Sequence, residues 1–167
     1  MKNALRKITL CAVLATLSTL AFMLESLFPP IILPGARMGI SNVFVIITLL
    51  FLGYKFAFIA LAVKILIGSL FSGNLPSIMY SLPAGIISLT VQYLLLHKAK
   101  NVSIIATSIA GAVINTATQN TVFCLVTATP EYLFYLPYLS LIATVSGFIV
   151  GLIVYYSAKY VPKKLWN

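Results

Sequence analysis

The chain has 167 residues, of which 61% are apolar and only 8% are charged, against a usual charged share of about a quarter. This composition excludes a soluble globular protein, because too few polar residues remain to cover a globule in water. The charge is strongly basic, with 11 Lys and Arg against 2 acidic residues. The basic residues stand in short clusters between long apolar runs, which is typical of membrane orientation and not of nucleic-acid binding.

Long apolar runs predict an all-α membrane protein, because a helix needs about 20 apolar residues to cross a bilayer. We expect a single domain over residues 1–167 with six transmembrane helices, at residues 5–28, 38–53, 56–71, 78–96, 102–127 and 137–160. The first run also resembles a signal peptide. It continues past signal length without a clear cleavage site, which favours an uncleaved first helix.

Proline and glycine mark the connections between the helices. Pro29-Pro30 and Pro34-Gly35 end the first helix, and the apolar residues between them suggest a re-entrant or surface-lying loop. Only Tyr54-Lys55 separate the second and third helices, so these two should form an antiparallel pair. The loop that follows the fifth helix is rich in aromatic residues.

The positions of Lys and Arg predict how the helices are oriented. When the helix ends are assigned alternately to the two sides, all the basic residues except Arg37 and Lys64 fall on one side. Positive residues accumulate on the cytoplasmic side of a membrane. We therefore expect a multi-pass protein of a bacterial cell membrane, with both termini in the cytoplasm.

Polar side chains within the helices gather in the half expected to face outward. A central Lys costs about 2.5–3.5 kcal/mol in hydrocarbon, so such groups should face one another or a water-filled cavity. In the fifth helix, polar residues four positions apart share one face. The pattern predicts a ligand pocket whose candidate residues are Glu25, Arg37, Asn42, Lys64, Tyr80, Ser81, Asn115 and Gln119.

The charges of these residues indicate the class of ligand. Arg37 and Lys64 are two cations that are opposed within the membrane only by Glu25. An anionic or phosphate-bearing small molecule would supply the missing partner. Glu131 could instead pair with Arg37, and Glu25 could neutralise Lys64 as a buried ion pair. The polar residues could also serve as hydrogen bonds between helices, worth about 0.6 kcal/mol each, which is the interpretation we favour for Gln92.

Little in the sequence predicts catalysis. There is no Walker phosphate loop, and without any Asp there is no aspartate-rich motif for magnesium and diphosphate. His97 has no Cys or His at metal-ligand spacing, and Cys11 and Cys124 are expected about 30 Å apart, too far for a disulfide. We expect no enzyme activity, no cofactor and no metal, so uphill transport would draw energy from another subunit or an ion gradient.

Small residues form a second pattern, because they let helix backbones approach closely. In the fifth and sixth helices, including Gly147 and Gly151, they predict packing within the bundle. In the first helix, Cys11, Ala12 and Ala15 lie beside the basic N-terminal residues. These three predict a surface for a partner protein.

Several segments together resemble a known family. The most specific is the stretch PGARMGISN at residues 34–42, and it is accompanied by Leu24-Glu25-Ser26, Lys64 with Gly68-Ser69-Leu70, Tyr80-Ser81, and Gly111-Ala112-Val113 with Gln119. On these residues the chain resembles, over nearly its whole length, the Gx transporter family, often labelled heptaprenyl diphosphate synthase component I. That family is similar to the substrate-binding (S) components of energy-coupling factor (ECF) transporters. Family members usually carry His-Asn where Asn115-Thr116 stand and often Arg where Lys64 stands, so the ligand of typical members is not assumed here.

The resemblance implies a six-helix S-component-like bundle with a ligand site toward the outside. It also implies that Cys11, Ala12 and Ala15 dock onto a membrane coupling subunit that is driven by cytoplasmic ATPases. The expected function is capture of a small anionic nutrient, or a cofactor or isoprenoid precursor, for import. The alternative is a membrane component associated with prenyl diphosphate or quinone synthesis, or with a membrane redox complex, that transports nothing itself.

Overall fold

The structure is a computed structural model that describes residues 2–27, 39–99 and 102–160. Within those residues it is all-helical and contains no strand, which confirms the all-α part of the predicted fold class. A 3-10 helix, Pro130–Tyr135, precedes the last of the α-helices. In chain order the α-helices are α1 Lys2–Leu27, α2 Ser41–Leu52, α3 Tyr54–Phe71, α4 Ser77–Lys98, α5 Ile104–Thr127 and α6 Leu136–Tyr160.

In the part of the chain that the structure describes, five helical segments are long and apolar enough to cross a membrane. They are Ala4–Ser26, Tyr54–Phe71, Ser77–Lys98, Ile104–Thr127 and Pro130–Tyr160. The exception is α2, whose 12 residues extend about 18 Å, against about 30 Å for a hydrocarbon core. The chain is therefore a multi-pass membrane protein, but the helix predicted at residues 38–53 is shorter than expected.

A glycine turn explains the late start of α2. Gly39 has a φ of +70°, a conformation that residues with a side chain rarely adopt. Its carbonyl accepts a hydrogen bond of 2.9 Å from the backbone N–H of Asn42, so the chain turns here before the helix begins. The loop predicted between the first two helices, including Arg37, lies outside the described residues.

The helices form a closed arrangement. Along the chain from α2 to α6 each helix contacts the next, and α2 also contacts α6, so these five surround a common interior. Helix α1 packs against α2 and α3. Gly53 alone separates α2 from α3, which form the antiparallel pair that the sequence predicts.

One end of the bundle carries the basic residues of the described helices apart from Lys64. Its cations lie at the start of α1, in the turn between α2 and α3, and in the last turns of α4 and α6. We call this end of the bundle the basic end, and these cations are Arg6, Lys7, Lys55, Lys98 and Lys159. Two contacts join these segments. The Cys11 thiol donates to the Phe56 carbonyl at 3.5 Å, and the rings of Tyr54 and Tyr93 lie 5.2 Å apart. That this end faces the cytoplasm stays a prediction.

Close packing toward the basic end depends on apolar and small residues. Cys11, Ile46 and Val150 belong to one buried cluster that joins α1, α2 and α6. Along α6, a Cβ on Gly147 would lie 2.9 Å from the Ile109 Cα, so only glycine permits this approach to α5. The predicted internal packing of these two helices is confirmed.

Candidate polar cavity

A cavity of about 70 Å³ lies between the helices in the half of the bundle away from the basic end. Every α-helix contributes at least one side chain to its wall. Apolar groups close parts of the wall, among them the ring of Phe22 packed on Gly68. The polar and charged side chains that line it are Glu25, Ser41, Asn42, Lys64, Ser81, Asn115, Thr116, Gln119 and Ser146.

Most of the candidate ligand residues are therefore neighbours of one void. The structure brings together Glu25, Asn42, Lys64, Ser81, Asn115 and Gln119. Tyr80 does not line the cavity, and Arg37 lies outside the described residues. The lining comes from the last turns of α1, the first turns of α2 and α4, and the middle of α3, α5 and α6.

Lys64 is the most deeply buried charged residue of the wall, with 4% of its surface exposed. Its Nζ donates a hydrogen bond of 2.6 Å to Oδ1 of Asn42, which links α3 to the first turn of α2. Leu61 and Ile65 flank it on α3 and pack into an apolar cluster with α2 and α4. The ammonium group is thus held at the cavity on a long stem set in apolar surroundings.

Glu25 joins the last turn of α1 to the start of α2. Its carboxylate accepts hydrogen bonds from the backbone N–H of Ser41 at 3.1 Å and from the Ser41 hydroxyl at 3.4 Å. Ser41 is the first residue of α2, where backbone N–H groups lack partners within the helix and carry partial positive charge. The Ser18 hydroxyl donates to the Ser41 carbonyl at 2.7 Å. Glu25 therefore fixes the start of the short helix as well as lining the cavity.

The polar residues of α5 divide between two environments. Asn115, Thr116 and Gln119 line the cavity, and the Gln119 amide donates to the Ser81 hydroxyl of α4 at 3.1 Å. Asn120 is buried but points elsewhere, since its amide donates to the Tyr132 carbonyl at 3.1 Å. Asn120 thus holds the 3-10 helix against α5, while the residues before it face the interior.

Tyr80 has a different neighbourhood from the one predicted. Its ring meets Phe123 edge-on, with centroids 5.5 Å apart, and Phe123 meets Tyr132 in the same way at 5.3 Å. Adjacent residues on a helix point about 100° apart, so Ser81 takes the inward direction and Tyr80 does not. Ser81 therefore lines the cavity and Tyr80 does not, and a role of Tyr80 in ligand binding stays a prediction.

Sequence reasoning missed several residues of the wall. Ser41 lies in the motif that carried the family resemblance, but only the contact with Glu25 shows its use. Ser146 precedes Gly147, whose close approach to α5 brings α6 to the cavity. A serine beside a close-packing glycine is the signal that could have identified it. Phe22 gave no comparable signal in a helix that is apolar on every side.

The candidate docking residues are not all at the surface. Cys11 and Ala15 are each only 5% exposed, because α1 turns this side toward its own neighbours α2 and α3. Ala12 is exposed. Cys11 and Ala15 thus pack inside the bundle while Ala12 is at the surface, and docking of a partner at these three residues stays a prediction.

Metal-ligating side chains do not cluster in the described ranges. No group of three or more His, Cys, Asp or Glu is found there. Cys11 and Cys124 are both free and buried. The chemistry available at the cavity is thus hydrogen bonding and charge, supplied by amide, hydroxyl, carboxylate and ammonium groups.

Comparison with known proteins identifies the family. A family model described as heptaprenyl diphosphate synthase component I matches residues 14–157, which include all of the cavity wall. No curated protein and no solved structure matches the chain. The family consists of accessory membrane proteins that act with partner subunits and have no catalytic role of their own. Because the match covers far more than half of the sequence, the chain belongs to the heptaprenyl diphosphate synthase component I family.

Proposed function

We propose that the chain is an S-component-like substrate-capture subunit that holds a small anionic molecule in its polar cavity for import by partner subunits. The observation that carries this proposal is the buried ammonium of Lys64, which faces a void lined by the amides of Asn42, Asn115 and Gln119. In this proposal the basic end faces the cytoplasm, and the cavity receives its ligand from outside.

The energetic cost of the lining supports a binding role. Polar groups in a membrane interior are tolerated when they hydrogen-bond to one another or face water. Residues that only join two helices need no space between them. Here a void of about 70 Å³ remains among charged and amide groups. A polar void of this size accommodates water or a small guest, whereas an empty cavity is normally apolar.

The volume restricts the ligand. A cavity of about 150 Å³ is enough for benzene, and drug-sized ligands occupy about 300–1,000 Å³. At about 70 Å³, the cavity holds a guest of only a few non-hydrogen atoms unless its wall moves. A prenyl chain fits neither this volume nor this polar lining.

The charges favour an anion. Lys64 places a cation at the cavity, where its Nζ donates a hydrogen bond to the Asn42 amide oxygen. Arg37 lies outside the described residues and stays the second cation that the sequence predicts for the ligand.

Native mass spectrometry of the gently purified protein tests this function, because it detects a small molecule that stays bound to the protein. Lys64→Met should lower retention about tenfold or more, because a hydrogen bond to a charged group contributes roughly 1.5–3 kcal/mol. Arg37→Ala should act in the same direction. Lys159→Met is the matched control, since it removes an exposed cation from the basic end. Equal retention by Lys64→Met and Lys159→Met would contradict the site.

The family description favours a second candidate function. A component I of heptaprenyl diphosphate synthase would assist prenyl diphosphate or quinone synthesis, or a membrane redox complex, without transporting a solute. Co-purification of the native protein distinguishes the two. A membrane coupling subunit with ATPases supports import, and we expect it to meet α1 on the face that carries Ala12. A prenyltransferase or a redox enzyme as the partner would support the alternative.

A further inference from the structure

A second opening, unrelated to the polar cavity, lies at the basic end. It is a groove of about 600 Å³ where α2 turns into α3 and both pass α4. Its walls are mainly apolar and aromatic, with Leu52, Phe56 and Leu94 beside the rings of Tyr54 and Tyr93. This volume is within the range of about 300–1,000 Å³ that is usual for ligand sites, and it is far larger than the polar cavity.

Contacts between α3 and α4 fix the aromatic wall of the groove. The Tyr54 hydroxyl and the Thr90 hydroxyl are hydrogen-bonded at 3.0 Å, and the ring of Tyr54 lies 5.2 Å from that of Tyr93. Tyr93 in turn stacks at 4.4 Å on His97 in the last turn of α4. The rings are therefore held in place, and the groove is a built feature of the bundle.

The rim of the groove is positively charged. Lys55 belongs to the lining and is exposed, and Lys98 is exposed at the end of α4, one turn after Leu94. The two carboxylate side chains of the sequence, Glu25 and Glu131, both lie in the other half of the bundle. Neither of these two carboxylate side chains therefore competes for an anion at the rim.

We propose that this groove binds a phospholipid with an anionic headgroup. One acyl chain lies along Leu52, Phe56 and Leu94, and the headgroup phosphate meets Lys55. Tyrosine rings concentrate at the level of lipid headgroups, and basic pockets between transmembrane helices recognise anionic headgroups. A soluble anion would leave the long apolar wall facing water, so the combination favours an amphiphile. The inference does not depend on the proposed solute capture.

Lipid retention by the purified full-length chain tests the proposal. Native mass spectrometry with added phosphatidylglycerol or phosphatidylcholine of identical acyl chains should show several-fold stronger retention of the anionic lipid. Lys55→Gln should reduce that preference about fivefold, the contribution expected of one Lys near an anionic membrane surface. Lys159→Gln, an exposed cation of the same end on α6, should change it little.

A second variant tests the apolar wall. Leu94 is 39% exposed, so Leu94→Trp should fold normally, fill the groove and lower retention of the anionic lipid. Soluble glycerol phosphate should not compete with the lipid. Equal retention of the two lipids, equal effects of Lys55→Gln and Lys159→Gln, or displacement by glycerol phosphate would each overturn the assignment.

Discussion

Near the basic end the helices pack through apolar clusters around residues such as Ile46 and Val150, whereas in the other half the same helices separate around a polar void. Glycines act differently in the two halves. Gly151 brings α6 into direct contact with α5, while Gly39 turns the chain so that α2 begins beside the cavity. The contrast indicates that cohesion of the bundle depends mainly on one half, while the proposed ligand binding depends on the other.

The largest expected effect on the free energy of unfolding comes from loss of packing near the basic end. Leu49 is fully buried in an apolar cluster with Leu61 and Leu89. Leu49→Ala should lower the free energy of unfolding in mixed micelles by about 2–5 kcal/mol, because a cavity replaces packed atoms. Ligand retention per folded molecule should not change. Leu66→Ala, an exposed position on α3, is the matched control, and equal losses from both would contradict the assignment of Leu49 to the packed half.

A smaller effect is expected from the charge that holds the start of α2. Glu25→Gln keeps the shape of the side chain but removes the negative charge beside the Ser41 N–H. The free energy of unfolding should fall by about 1 kcal/mol, the usual size of a helix-terminus interaction in a partly buried site. Titration with SDS measures it. Glu131→Gln, on the exposed 3-10 helix, should leave stability unchanged, and an equal effect there would argue against the role of Glu25.

The smallest effect separates two adjacent residues of α4. Tyr80→Phe keeps the ring contact with Phe123, so stability should change by less than about 0.5 kcal/mol and ligand retention not at all. Ser81→Ala removes the hydroxyl that accepts from Gln119, and ligand retention should fall. Native mass spectrometry of the two variants side by side decides the matter. Weaker retention in Tyr80→Phe would return Tyr80 to the site.

The long helices were predictable from the sequence because hydrophobic length alone determines which segments can cross a bilayer. The start of α2 was not, since the sequence around Met38 does not mark which residue begins the helix, and the positive φ of Gly39 shows where the chain turns. The sequence predicts a loop at the 3-10 helix Pro130–Tyr135, because six residues with several aromatics resemble an interfacial segment. Short elements depend on tertiary contacts, such as the hydrogen bond from Asn120 to Tyr132, which a hydrophobicity pattern does not reveal.

The candidate site was predictable to the extent that polar groups are rare in these helices. Rarity identified Lys64, Asn115 and Gln119, which the structure places around one cavity. The direction in which each side chain points was harder to predict, because a helix that is apolar on every side has no polar face that indicates its orientation. Cys11 and Ala15 show this limit, since small residues suit a partner surface and internal packing equally well.

The distribution of the cavity wall over every α-helix has a consequence for how such proteins diversify. In the proposed function, exchanging polar side chains at positions 42, 64, 115 and 119 would change the recognised solute without altering Leu49, Val150 or the glycine contacts of α6. One scaffold could then carry different specificities, and relatives with the same architecture need not share a solute.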